Sequence, residues 1–187
     1  MKLKNKDWAN ISYLKLGNDK QLKCYEILKH IKIFDLLCEY NPILVGTIPI
    51  GIDIENSDLD IVCNVNDFEE FKNILVDNFV TYKEFKVIYK EEGVMVCNFI
   101  VKDIEVEIYG STDESYKSNG YRHMIIEDRL LNLYGSDFRK KIIDLKTQRL
   151  KTEPAFASVL NLEGNPYEQL LLFEIYSDKE LLEKYYN

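Results

Sequence analysis

A chain of 187 residues with 46% hydrophobic content is long enough to bury one sizeable core. Its 32 acidic residues against 24 basic ones leave a net charge of −8, which disfavours an extended nucleic acid as partner because phosphates are repelled overall. No run approaches the ~18 uninterrupted apolar residues of a membrane span, and the start MKLKNKDW lacks the apolar stretch of a signal peptide, so a cytoplasmic protein without a membrane partner is expected.

In chain order, Asp19 to Tyr40 repeats apolar residues at helical spacing (Leu22, Ile27, Leu28, Ile31, Phe34, Leu37), predicting one or two amphipathic helices that end before Asn41-Pro42. Ile43 to Gly46 reads as a short apolar strand closed by Gly46-Thr47, and Leu59 to Val65 as a second strand after the turn-rich Asp53 to Ser57. Asp67 is placed to N-cap a helix that carries Glu69 and Glu70 in its first turn and buries Phe71, Ile74, Leu75 and Phe79. Three strand-like runs follow: Glu84 to Tyr89, Val94 to Val101 across a hairpin at Glu91-Glu92-Gly93, and Ile104 to Tyr109 after a tight connection at Lys102-Asp103. From Ser115 helical patterns dominate, with breaks expected at Gly135, Pro154 and Gly164-Asn165-Pro166. The order predicts an α+β fold, a small mixed sheet with helices on one face and a helical C-terminal half, divided as a 1–112 core and a 113–187 helical region packed on it. Cys24, Cys38, Cys63 and Cys97 lie far apart in apolar contexts, suited to small buried residues rather than to a zinc or disulfide framework.

Chemistry concentrates at Asp58-Leu59-Asp60. Alternate residues of a strand face the same way, so both aspartates emerge on one face while Leu59 and Ile61 enter the core. Two carboxylates held that close repel unless a divalent cation bridges them, and hard oxygen ligands suit Mg²⁺ or Mn²⁺. Asp103, Glu105 and Glu107 repeat the two-residue spacing on a later strand, and one of the glutamates completes a three-carboxylate site if the strands are neighbours. The expected alternative for Asp103 and Glu105 is a solvated strand face. Gly46-Thr47 ends the first strand, where a glycine lets backbone approach a phosphate and a hydroxyl beside it can donate.

The run Val45-Gly46-Thr47, ten residues from Ile48 to Ser57, then Asp58-Leu59-Asp60-Ile61, resembles the signature of the nucleotidyltransferase superfamily related to DNA polymerase beta, with threonine where serine or glycine is usual. GTIPIGIDIENSDLDI, VEIYG, YRHMIIEDRLL and LKTEPAFA further resemble a small bacterial family of uncharacterised proteins grouped with the minimal nucleotidyltransferases. The resemblance implies that Asp58 and Asp60 hold the metals, with Glu107, in VEIYG, favoured over Glu105 as the third carboxylate in place of the usual aspartate. Nucleotide contacts are expected from Gly46, Thr47 and Ser57; Tyr121-Arg122-His123 opens an apolar helical stretch from which Arg122 or His123 can reach a triphosphate or act near the metal, with a capped helix start and an ion pair as the alternative, above all for His123. His30 is expected to be structural, and Lys151-Thr152-Glu153-Pro154 a turn between helices with one basic residue near a phosphate or merely a loop.

The expected function is a metal-dependent nucleotidyltransferase that moves a nucleoside monophosphate from a nucleoside triphosphate to an unknown acceptor. The rival is a non-catalytic member of the fold that binds a nucleotide or a protein. Completeness of the carboxylate set separates the two, since two-metal chemistry needs all three ligands.

Overall fold

The computed structural model describes residues 6–90 and 93–185. Helix α1 (Asp19–His30) starts at a reciprocal cap: Asn18 accepts from the Gln21 amide N–H, and the Gln21 side chain accepts from the Asn18 N–H. A short α2 (Ile33–Leu36) leads to β1 (Ile43–Val45) and, beyond the Gly46 to Ser57 loop, to β2 (Leu59–Asn64). Asp67 caps α3 (Phe68–Phe79) by accepting from the N–H groups of Glu69 and Glu70, as its position in the sequence predicts. Strands β3 (Lys83–Lys90), β4 (Val94–Val101) and β5 (Ile104–Ser111) follow. The β4–β5 connection turns at Lys102 and Asp103, both in the left-handed region (φ 48° and 64°), as a two-residue hairpin turn requires. Of the predicted β3–β4 hairpin turn, Glu91 and Glu92 lie outside the described residues.

The five strands form one mixed sheet in the order β1-β2-β5-β4-β3, antiparallel except for the β2–β5 pair, which is parallel. Alternation sorts the side chains onto two faces. Leu59, Ile61 and Cys63 of β2, Val106 and Ile108 of β5, and Cys97 and Phe99 of β4 meet Cys24, Ile27 and Leu28 of α1 and Phe71, Leu75 and Phe79 of α3 in one core. Val45 and Val62 on the opposite face join a second core with the C-terminal helices, through Met124, Leu130, Phe138 and Phe156.

Those helices are α4 (Asn119–Thr147), α5 (Thr152–Leu160), α6 (Pro166–Leu171) and α7 (Asp178–Lys184). Gly135 breaks α4 with φ 79°, ψ −160°, at the position its sequence suggests. Pro154 does not break a helix: it sits in the first turn of α5, where a missing N–H costs nothing, and the break falls at 148–151 instead. Pro166 likewise opens α6, with Asn165 as its cap. Cys24, Cys63 and Cys97 are buried, but Cys38 is exposed at the start of the single 3-10 turn that follows α2, so its apolar neighbourhood in sequence does not carry it into the core. His30 is exposed on the last turn of α1. No helix among the described residues is long and apolar enough to cross a membrane.

Candidate active site

The carboxylates are assembled by strand pairing. Asp60 lies in register with Glu107 across the parallel β2–β5 pair and with Val45 across β1. In-register residues of neighbouring strands share a face, so Asp60 and Glu107 project together on the side opposite the α1–α3 core. Asp58, two residues before Asp60, lines the same cavity of about 560 Å³, as does Glu107; Glu105, one step further out on β5, is exposed and does not. Asn98 of β4, opposite Glu107, donates to Glu107 Oε2 at 3.2 Å and to Glu105 Oε1 at 3.4 Å. Its contacts steer Glu107 from the side away from Asp60.

Gly46 follows β1 directly, and its φ of +80° is one that L side chains rarely adopt. A Cβ there would stand 2.6 Å from Asp60 Oδ2, well inside contact distance. The glycine therefore makes the space in which the Asp60 carboxylate lies.

The loop after Gly46-Thr47 is held from below. Ile48 enters the first core, and Ile50 and Ile52 enter the second, which explains why the stretch is so apolar for a polar site. Its carbonyls accept from side chains far away in sequence. Gln21 Nε2 donates to Ile48 O, Arg139 Nη1 to Ile50 O and Gly51 O, Lys146 Nζ to Ile52 O, and Lys20 Nζ to Ile54 O and Glu55 O. Thr47 Oγ1 donates to Ser57 Oγ at 3.2 Å, and Ser57 Oγ accepts from the Ile54 N–H at 2.9 Å, so the two hydroxyls tie the ends of the loop together. Thr47 lines the cavity; Ser57 stands behind it.

These bonds spend cations on backbone carbonyls, and the cavity is left acidic. Among the described residues Asp58, Asp60, Glu107, Asp113, Glu127 and Glu153 line it against a single lysine, Lys117, which is paired with Glu114 at 2.6 Å. Among the described residues, none of Asp58, Asp60 and Glu107 forms an ion pair. Burial pushes the Asp60 carboxyl up to about 7, with Asp58 and Glu107 adding to the effect. Such a site holds its charges when a cation enters it.

Of the two α4 candidates, His123 lines the cavity, whereas Arg122 does not: its guanidinium grips Glu174 through two hydrogen bonds of 2.8 and 2.7 Å. The capped helix start considered for this segment is present one turn earlier, where Ser118 accepts from the Tyr121 N–H. His123 instead faces Glu127 and Glu153. Lys151 is the exposed N-cap of α5, outside the cavity lining. Sequence reasoning passed over Glu127, Glu153, Asn98 and Lys117. The His123/Glu127 spacing of four on a helix was a usable signal, because residues that far apart share a face.

A family profile matches residues 26–173, and its description is Domain of unknown function (DUF4269). The chain belongs to that family. No curated protein matches it in sequence. Among solved structures it is similar to Cid1, described as an RNA terminal uridylyl transferase (TM-score 0.58, 9% identity, covering 82% of this chain and 48% of that one). It is also similar to the GLD-2/RNP-8 complex (TM-score 0.53, 16% identity, 80% and 61%) and to the polymerase core of TRAMP, an RNA surveillance complex (TM-score 0.50, 16% identity, 91% and 61%). At these identities the likeness is one of fold, the nucleotidyltransferase fold, and this chain spans 48–61% of the length of the three.

Proposed function

We propose that this protein transfers a nucleoside monophosphate from a nucleoside triphosphate to an acceptor, with divalent ions, Mg²⁺ or Mn²⁺, held by Asp58, Asp60 and Glu107. The observation that carries the reading is Asp60 in register with Glu107 inside a cavity lined by six carboxylates and one lysine. The donor set fits the ions: all three groups are hard oxygen ligands, none is neutralised by an ion pair among the described residues, and Gly46 leaves the room that Asp60 needs. When bound, the ions supply stabilisation of negative charge on the attacking and leaving oxygens.

The protein's own groups do the positioning. Gly46 and Thr47 offer backbone and a hydroxyl to the phosphates, on a loop made rigid by its buried isoleucines and capped carbonyls. Ser57 acts on the nucleotide through Thr47: when the Ser57 hydroxyl donates to Thr47 Oγ1 instead of accepting from it, the Thr47 hydrogen is free for a phosphate oxygen. Asn119 and Gly120, in the first turn of α4, also line the cavity, and a helix start leaves its first N–H groups free for anions. Asn98 orients Glu107. Arg122 reaches a triphosphate only by leaving Glu174. Mg GTP bound to Cid1, and the UTP analogue UMPNPP in complex with it, support a nucleoside triphosphate as the donor substrate here.

The test is to incubate the purified protein with each labelled nucleoside triphosphate, Mg²⁺ or Mn²⁺ and a panel of small-molecule, protein and RNA acceptors. Transfer by the wild type and none by Asp60→Asn is the expected result. Nucleotide binding that is equal in both, with no transfer under any condition, would leave a non-catalytic binding protein.

A further inference from the structure

His123 and Glu127 stand four residues apart on α4, and Glu153 comes from the first turn of α5 to meet them. One donor atom from each lies within 4.8 Å of the other two. His123 and Glu127 are 7% and 3% exposed, and among the described residues His123 Nδ1 and Glu127 Oε1 have no hydrogen-bond partner. Among the described residues Glu127 forms no ion pair; Lys146, the cation whose charge reaches it, gives its ammonium to Ile52 O. Burying polar atoms without partners costs a few kcal/mol each, so two in one cluster call for an occupant. All three residues line the cavity that holds the strand carboxylates.

We propose that His123, Glu127 and Glu153 bind a divalent transition-metal ion of the Zn²⁺ class, distinct from the ions at Asp58, Asp60 and Glu107. The imidazole decides the class: one nitrogen and two carboxylate oxygens suit Zn²⁺, Co²⁺ or Mn²⁺, whereas Mg²⁺ prefers oxygen alone. The ion satisfies both orphaned atoms at once and ties α4 to α5 at the cavity wall. Three protein ligands leave tetrahedral zinc one further position, open to a water or a substrate oxygen from the cavity. Donor atoms around such an ion stand ~3.4 Å apart at bonds of ~2.1 Å, so donors already within 4.8 Å of one another need only a small inward adjustment to close on it. The proposal holds whether or not the protein transfers nucleotides.

The experiment titrates the protein with Zn²⁺, and with Co²⁺ as a spectroscopic probe, in excess Mg²⁺. A Cys38→Ser background removes the one exposed thiol among the described residues. The expected result is one Zn²⁺ per chain and a visible Co²⁺ band, both retained in Asp60→Asn. Glu127→Gln and Glu153→Gln should each weaken Zn²⁺ binding by more than about tenfold and abolish the band. Glu127→Gln keeps the shape of a buried side chain, and Glu153→Gln sits at the cavity edge, so at least one remains folded by circular dichroism. Zn²⁺ affinity unchanged in both glutamine variants overturns the site. Equal loss in Asp60→Asn overturns it as well, assigning the metal to the strand carboxylates.

Discussion

Adding one methyl group at Gly46 tests the geometry of the cavity floor. Alanine must adopt φ +80°, a left-handed conformation that costs an L residue about 1–2 kcal/mol. Its Cβ also arrives 2.6 Å from Asp60 Oδ2 and 3.5 Å from Asp60 Cγ, so the carboxylate has to turn away, at an overpacking cost of about 1–3 kcal/mol. Gly46→Ala is therefore expected to destabilise by about 2–5 kcal/mol. The two contributions separate in a double-mutant cycle. In an Asp60→Ala background the clashing atoms are gone and the remaining neighbour, the residue's Cβ at 3.8 Å, is an ordinary contact. Only the backbone cost remains, and the coupling between the positions should be about 1–3 kcal/mol. Urea unfolding of the four proteins, in chelator so that no metal contributes, measures it. Costs that add to within about 0.5 kcal/mol would show that Gly46 is not there to accommodate Asp60, and would refute the reasoning.

The raised Asp60 carboxyl makes a pH prediction. An acid whose folded value, about 7, exceeds its unfolded value, 3.8, binds more protons folded, so metal-free stability falls as pH rises between roughly 4 and 7. Asp60→Asn should flatten that decline and be the more stable protein at pH 8 in chelator; melting curves at pH 5 and 8 that keep the two proteins in constant order would contradict it. Adding Mg²⁺, which the nitrogen-bearing His123 cluster disfavours, at pH 8 should raise the wild-type melting temperature and leave that of Asp60→Asn almost unmoved, which a thermal shift assay reads directly. Thr47→Val and Ser57→Ala each break the loop-closing hydroxyl bond and should each cost about 1 kcal/mol of stability; both should lower triphosphate affinity in calorimetry, the valine variant more, because it removes the contacting hydroxyl itself. Arg122→Ala removes a half-exposed ion pair with Glu174, so a stability loss of more than about 1 kcal/mol in urea would mean that this pair does more than surface pairs do.

Much of this protein is local, and local features can be read from the chain. The helix caps at Asn18 and Asp67, the strand at Val94–Val101 and the break at Gly135 each depend on residues within a turn or two of themselves. The two-residue alternation that puts Asp58 and Asp60 on one face is local too. Register is not. That the glutamates of β5 share a side with Asp60 is settled by burial of Val106 and Ile108 on the other face; that Glu107 rather than Glu105 stands beside Asp60 follows from the register in which β2 pairs with a strand 47 residues later, since a two-residue shift would leave the faces unchanged. Long-range contacts also decided where the cations went. Arg139 and Lys146 look in sequence like any solvated helix charges, yet they reach back to the carbonyls of Ile50 and Ile52, and Arg122 turns to Glu174. The meeting of His123 and Glu127 with Glu153 depends on α5 folding back against α4. Spacing in the chain alone determined which residues share a face; only packing at a distance determined which faces meet, because burial is indifferent to how far apart two residues lie in sequence.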